Sequence, residues 1–191
     1  MSAKDNIIAL PNPQLRQKSQ RLPVITPEAL SVIKEMIEAT VDWEDSREHE
    51  VGVALAAIQI DKPYRVIIVR NDFENKADKS FSVFINPEIV KVEGELEEDY
   101  EGCLSVVDVY GKVPRYNKVR VRALDETGQE VRVKAQGFLA RIFQHEIDHT
   151  NGVMFVDHLK DRQDAFYRLT GEGKLEPIAY KEVEKSGVFQ T

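Results

Sequence analysis

The sequence predicts an α+β fold, with short antiparallel or mixed strands packed around one central helix and an amphipathic helix near the N-terminus. Three observations carry this. Apolar residues recur at helical spacing before residue 45, β-branched runs broken by turns fill the middle, and the helical period returns from Phe138. Strands followed by one key helix, rather than strict alternation, favour α+β over a parallel βαβ design. With 191 residues, of which 42% are hydrophobic, the chain is long enough to bury its own core. No repeat or linker interrupts it, so it reads as one domain over 1–191.

The first helix is announced by Thr26-Pro27-Glu28: a hydroxyl to cap free amides, a proline suited to the first turn, and an acid for the positive dipole end. Leu30, Ile33, Ile37 and Val41 then recur every three or four residues, predicting a core-facing stripe to about Trp43. Val51 to Ile60, Arg65 to Val69, and Phe81 to Ile85 stopped by Asn86-Pro87 read as short strands. Val119 to Leu124 and Val131 to Val133 flank the turn Asp125-Glu126-Thr127-Gly128, which predicts a hairpin. Leu139, Ile142, Phe143 and Ile147 fit a second helix ending near Asn151-Gly152.

A net charge of −7 argues against a broad phosphate-binding surface, so no direct nucleic-acid binding is expected. The acids concentrate in Glu93, Glu95, Glu97, Glu98, Asp99 and Glu101, read as a solvated strand face. No apolar run reaches the roughly 18 residues of a membrane helix, and the N-terminus does not read as a secretory signal. A cytoplasmic location is expected. The single cysteine, Cys103, excludes an internal disulfide and leaves a core filler, a nucleophile or a metal ligand.

Chemistry concentrates in Gln144-His145-Glu146-Ile147-Asp148-His149. Two histidines four residues apart project from one helical face and can bind a single metal ion. Glu146, turned by about 100° from His145, falls beside such an ion, where it can take a proton from water that the ion has acidified. A catalytic site of this kind normally takes three protein ligands. Phe155 stands where a metzincin would place its third histidine, and His158 is off register. Glu172 or Glu176 could complete a gluzincin-like metallopeptidase site, although Gly171-Glu172-Gly173-Lys174 reads as a loop. Cys103 fits better, in Glu101-Gly102-Cys103-Leu104-Ser105, where glycine permits close backbone approach.

Three segments together resemble the peptide deformylase family: Gly52-Val53-Ala54-Leu55-Ala56-Ala57-Ile58-Gln59, Glu101 to Ser105, and Gln144 to His149 with Gly152. The resemblance implies hydrolysis of the N-formyl group of nascent formyl-methionyl polypeptides at the ribosome, with release of formate. It implies Cys103, His145 and His149 as ligands of one divalent metal, natively Fe2+ in much of the family, with Zn2+, Ni2+ or Co2+ possible in purified protein. It further implies Glu146 as general base and acid, and Gln59 with the Leu104 backbone amide as donors to the developing oxyanion. Gly52, Val53, Ala54, Leu55, Glu101, Gly102 and Ile142 are expected at the substrate, the first four as an edge for an added peptide strand. Ala54 stands where a second glycine is usual, Ile58 where proline is common, and Val107 where many members have proline. A positive φ at Ala54 would be strained. Two other readings are a gluzincin-like peptidase and an inactive deformylase-like binding protein altered at Ala54.

Overall fold

The structure is a computed structural model that describes residues 2–189. Helix α1 spans Pro27–Asp45, and Thr26 Oγ1 accepts from the Ala29 amide at 3.2 Å, as the capping pattern predicts. Its buried face overlaps the predicted stripe at Ile33, with Ile37 partly buried against the same core, and is shifted from it elsewhere. Ala29, Val32, Ile33, Met36, Ala39 and Thr40 face inward, while Leu30 is 44% exposed. The face that meets the sheet carries Val32, Ile33 and Met36, packed against Val66, Ile68 and Val83. Thr40 tolerates burial because its hydroxyl donates to the Met36 carbonyl at 2.8 Å.

Strands β1 (Ala54–Ala56), β2 (Val66–Arg70), β3 (Phe81–Cys103), β4 (Val106–Leu124) and β5 (Glu130–Gln136) precede helix α2, Gly137–Thr150. Strands β6 (Phe166–Leu169) and β7 (Leu175–Pro177) and the short helix α3, Tyr180–Lys185, follow it. The sheet runs β1-β2-β3-β4-β6-β7, and every ladder is antiparallel. The end of β4 also pairs with β5, from Lys118↔Gln136 to Leu124↔Glu130, which is the predicted hairpin. Asp125 closes its turn by accepting from the Thr127 and Gln129 amides, each at 2.9 Å.

Two strand boundaries differ from expectation. Val51 to Ile60 forms only the three residues of β1 before a one-turn 3-10 helix at Ala57–Ile60. Conversely, Asn86-Pro87 does not stop β3, which runs 23 residues in all, from Phe81 to Cys103. Asn86 takes φ 53° within a register shift, and its side chain makes two 2.8 Å bonds to the Leu22 backbone. It works as a bulge, which asparagine accommodates through its tolerance of left-handed backbone.

Both faces of β1–β2–β3 are covered. Ile67, Val69 and Phe84 pack with Phe143 and Ile147 of α2, whereas Val66, Ile68 and Val83 pack with Val32, Ile33 and Met36 of α1. The alternation along β2 therefore sorts successive residues between two helices, and the strand is apolar throughout. Helix α2 is fixed to β4 by Gln144, whose side chain donates to the Tyr116 carbonyl at 2.8 Å and accepts from its amide at 3.1 Å. It ends at Gly152, φ 75°, where a Cβ would stand 2.3 Å from the Arg16 carbonyl oxygen.

The end of α1 is held by a buried charge pair. Glu44 and Arg70 have fully buried side chains 2.5 Å apart, and Glu44 also accepts the Gly52 amide at 2.9 Å. Glu44→Ala should lower unfolding free energy by about 3–5 kcal/mol, because it strands a buried guanidinium. Urea denaturation checks this, and Glu44→Met with Arg70→Leu should recover much of the loss.

Candidate active site

Cys103 ends β3, and His145 and His149 lie on successive turns of α2, which crosses beneath it. Their Sγ and ring nitrogens all lie within 4.8 Å of one another. His149 Nε2 stands 3.3 Å from Cys103 Sγ and 3.1 Å from His145 Nε2. Among the described residues this is the one group of three such donors that converges. Glu172 and Glu176 are exposed on the β6–β7 hairpin, and His158 is bonded to Asp148 at 2.7 Å, so neither alternative third ligand joins the pair.

The orientation of His145 is set by Glu101. His145 Nδ1 donates to Glu101 Oε2 at 2.9 Å, which turns Nε2 toward the sulfur. The same carboxylate accepts from Arg115 Nε at 2.9 Å and Nη2 at 3.1 Å, and from Arg141 Nη1 at 2.8 Å. Burial alone would raise the Glu101 pKa, but the bonds and charges of His145 and Arg115 hold it well below the usual carboxylate range. Burial likewise opposes charge on His145, yet Cys103 and Glu101 raise its pKa well above the ordinary value. The cluster thus favours positive charge between Sγ and Nε2, and a divalent ion suits that position. His149 is kept neutral by burial, then by the neighbouring His145 charge. A neutral imidazole is the form that ligates metal. The donor set, a sulfur and two imidazole nitrogens, fits a catalytic ion of the iron or zinc type.

Cys103 and His145 open onto a cleft of about 300 Å3. Of the predicted site residues, Val53, Ala54, Gln59, Glu101, Gly102, Cys103, Leu104, Ile142, His145 and Glu146 line it, while Gly52, Leu55 and His149 do not. Glu146 has its Oε2 buried without a hydrogen-bond partner, and burial pushes its carboxyl up to about 7. The Gln59 amide is oriented from behind: Oε1 accepts from the Ala56 amide at 2.9 Å, which aims Nε2 at Ser105 Oγ, 3.1 Å, and Cys103 Sγ, 3.5 Å.

The substrate-edge residues divide by parity. Arg70 donates to the Val53 carbonyl at 2.8 Å, so in the register Ala54↔Val69 the Ala54 backbone groups face the open edge of the sheet. Gly52 is taken up internally, donating to Glu44 at 2.9 Å and accepting from Arg70 Nε at 3.1 Å. Leu55 is fully buried against α1. Ala54 has extended backbone and no positive φ, so its methyl carries no backbone strain. Glu101, expected at the substrate, lines the cleft with its carboxylate bonded to His145 and two arginines.

The model of the polypeptide deformylase family matches residues 4–165. The peptide deformylase of Thermomicrobium roseum is 42% identical over 164 residues, covering 84% of this chain and 89% of the relative. The chain belongs to the polypeptide deformylase family. The Agrobacterium fabrum peptide deformylase is 40% identical over 153 residues, 80% of this chain and 85% of its own. Among solved structures, a Synechococcus elongatus peptide deformylase in complex with actinonin superposes with a TM-score of 0.73 at 36% identity, covering 82% of this chain and 80% of that one. The Legionella pneumophila enzyme gives 0.71 at 37%, with 80% and 84% covered. The activity is therefore hydrolytic removal of the formyl group from nascent formyl-methionyl chains, by a metalloenzyme. No helix among the described residues is long and apolar enough to cross a membrane.

Sequence reasoning missed Arg115, Arg141 and Asp148, which brace the site: Arg115 Nη1 donates to Asp148 Oδ2 at 2.6 Å. One local signal existed. Arg141 lies one helical turn before His145, on the same face. Because a metal-bound histidine depends on the group behind it, Glu101→Gln should weaken metal retention by about 10–100-fold. Competition with a chromophoric chelator measures this, and Glu98→Gln on the exposed part of β3 serves as the control.

Proposed function

We propose that Cys103, His145 and His149 hold one divalent metal ion, ferrous in the native state, and that Glu146, Gln59 and the Leu104 backbone amide carry deformylation. The observation that supports this most directly is the convergence of one sulfur and two imidazole nitrogens within 4.8 Å. When bound, the ion supplies Lewis acidity toward the formyl oxygen and toward water. This donor set also accepts zinc, nickel or cobalt.

The remaining work falls to the chain itself. Glu146 takes the proton of the attacking water and returns it to the departing amine. A carboxyl brought near 7 by burial suits both transfers at neutral pH. Gln59 Nε2 and the Leu104 N–H donate to the formyl oxygen as it gains charge. Gln59 is preorganised for this by its anchor on Ala56, so no reorientation is needed during reaction.

The Ala54 N–H and C=O pair with the main chain of formyl-methionine, which adds a strand to the free edge of β1. Val53 and Ile142 accept the methionine side chain. Gly102 contributes by what it lacks, because a Cβ there would stand 2.4 Å from the Tyr110 ring. Formylated chains arise at translating ribosomes, so we assign the activity to the cytoplasm beside them.

Anaerobic purification followed by an assay of formate release from a formyl-Met tripeptide tests this reading. Oxygen is excluded because a thiolate-ligated ferrous site oxidises readily. Glu146→Ala should retain metal and lose about 10²–10⁴-fold in formate release. Cys103→Ser should lose the metal, and elemental analysis of the unaltered protein should find iron. Metal retained by the unaltered protein with no formate released would sink the assignment.

A further inference from the structure

One residue lining the cleft, Leu175, comes from a part of the chain beyond the family match, which ends at residue 165. Strand β6 starts at Phe166 and pairs with β4 through Tyr110↔Tyr167 and Gly111↔Phe166, and β7 pairs in turn with β6. The turn between them is closed by the Thr170 amide donating to the Lys174 carbonyl at 2.8 Å. Its Gly171 carbonyl accepts from His49 Nε2 at 3.3 Å, in the loop between α1 and β1. A Cβ at Gly173 would stand 3.2 Å from the His49 ring. The hairpin is therefore seated on that loop, and Leu175 of β7 lines the cleft beside Trp43, His49 and Tyr110.

The acid, the phenol and the imidazole of this bay already have partners. Glu50 accepts from the Tyr110 hydroxyl at 2.6 Å and from Arg47 Nη1 at 3.3 Å, and His49 Nε2 is held by Gly171. What the bay offers an incoming group is ring and aliphatic carbon. Its place relative to the catalytic groups follows from the sheet. A peptide added at the free edge of β1 turns successive side chains to opposite faces. Helix α2 covers one face and α1 the other. With methionine turned toward Ile142 of α2, the following side chain turns toward the α1 side, where Trp43, His49 and Leu175 stand.

We propose that this bay receives the side chain of the residue after formyl-methionine and makes the enzyme prefer an apolar side chain there. The proposal rests on the deformylase reading and on methionine lying on the α2 side. Glycine leaves the bay unfilled, and aspartate or lysine would be desolvated against carbon without a partner. Among the described residues the polar partners of His49 are Gly171 and Glu48, which include none of the metal ligands, Glu146 or Gln59.

The test is kcat/KM for formate release from formyl-Met-X-Ser peptides with X as Leu, Phe, Gly, Asp or Lys. Leucine should exceed glycine by about tenfold, with aspartate lowest. Leu175→Ser and His49→Ala should each move the leucine-to-glycine ratio toward one, and Leu175→Asp should favour lysine. That last change is a gain no general loosening of the fold would produce. Should Leu175 variants fail to fold, His49→Ala at an unchanged melting temperature decides. Equal efficiency on all peptides, or an unchanged ratio in His49→Ala, overturns the bay and leaves deformylation standing. Formate from no peptide overturns deformylation and the bay with it.

Discussion

The carboxylate of Glu101 binds together the three elements that make the site. It sits on β3, takes two bonds from Arg115 of β4, and takes one each from Arg141 and His145 of α2. Removing a carboxylate from water costs several kcal/mol, and such a group persists in a core only when its lone pairs are filled. Here all are filled by donors from cationic or polarised side chains, so the group that is expensive to bury also specifies where α2 must lie. A helix displaced along β4 would strand Glu101, Arg115 and Arg141 together. The placement of His145, and through it the distance between α2 and Cys103, is thus a consequence of one anion seeking donors.

The sheet supplies the complementary apolar constraint. Strand β2 divides its side chains between α1 and α2, and neither helix can move without uncovering it. That leaves β1 as the outer strand, short and open on one side, next to the helix that carries the histidines. An unpaired edge is usually a liability to be blunted. At three residues, flanked by Gly52 tied to Glu44 and by the 3-10 turn at Ala57–Ile60, it offers little to a foreign strand while leaving the backbone groups of Ala54 on the open edge.

What could be read in advance followed the range of the interaction. The cap at Thr26, the Asp125–Gly128 turn and the stop at Gly152 rest on neighbours within a few residues, and each forms as its sequence implies. The His145–Glu146–His149 face is set by helical period alone. The buried side of α1 was read only in part, at Ile33 and Ile37 but not at Leu30, because it depends on what the sheet presents. The length of β3 was misread because Asn86-Pro87 looks like a stop until Leu22, far away in sequence, satisfies it. The acidic run was read as a solvated face, which holds for Glu95, Glu97 and Glu98 and fails for Glu101, 5% exposed. Nothing local distinguishes Glu101 from its neighbours; only Arg115, 14 residues away, and Arg141, 40 residues away, do so. The loop read at Gly171-Glu172-Gly173-Lys174 is the turn of the β6–β7 hairpin, whose strands, four and three residues long, had no local signal because β6 takes its partner from β4 and β7 from β6.

Ala54 shows how such a local departure should be weighed. A methyl in place of hydrogen matters where the backbone needs positive φ or where another backbone must approach from the side on which Cβ projects. Neither holds: the residue is extended, its side chain is 3% exposed within the cluster shared with Phe143 and Ile147, and its N–H and C=O leave by the perpendicular direction, along the sheet edge. The methyl therefore fills core volume between β1 and α2 without obstructing an added strand. A change at Ala54 therefore acts on packing between β1 and α2, and the main-chain groups open to an added strand are the same with alanine as with glycine.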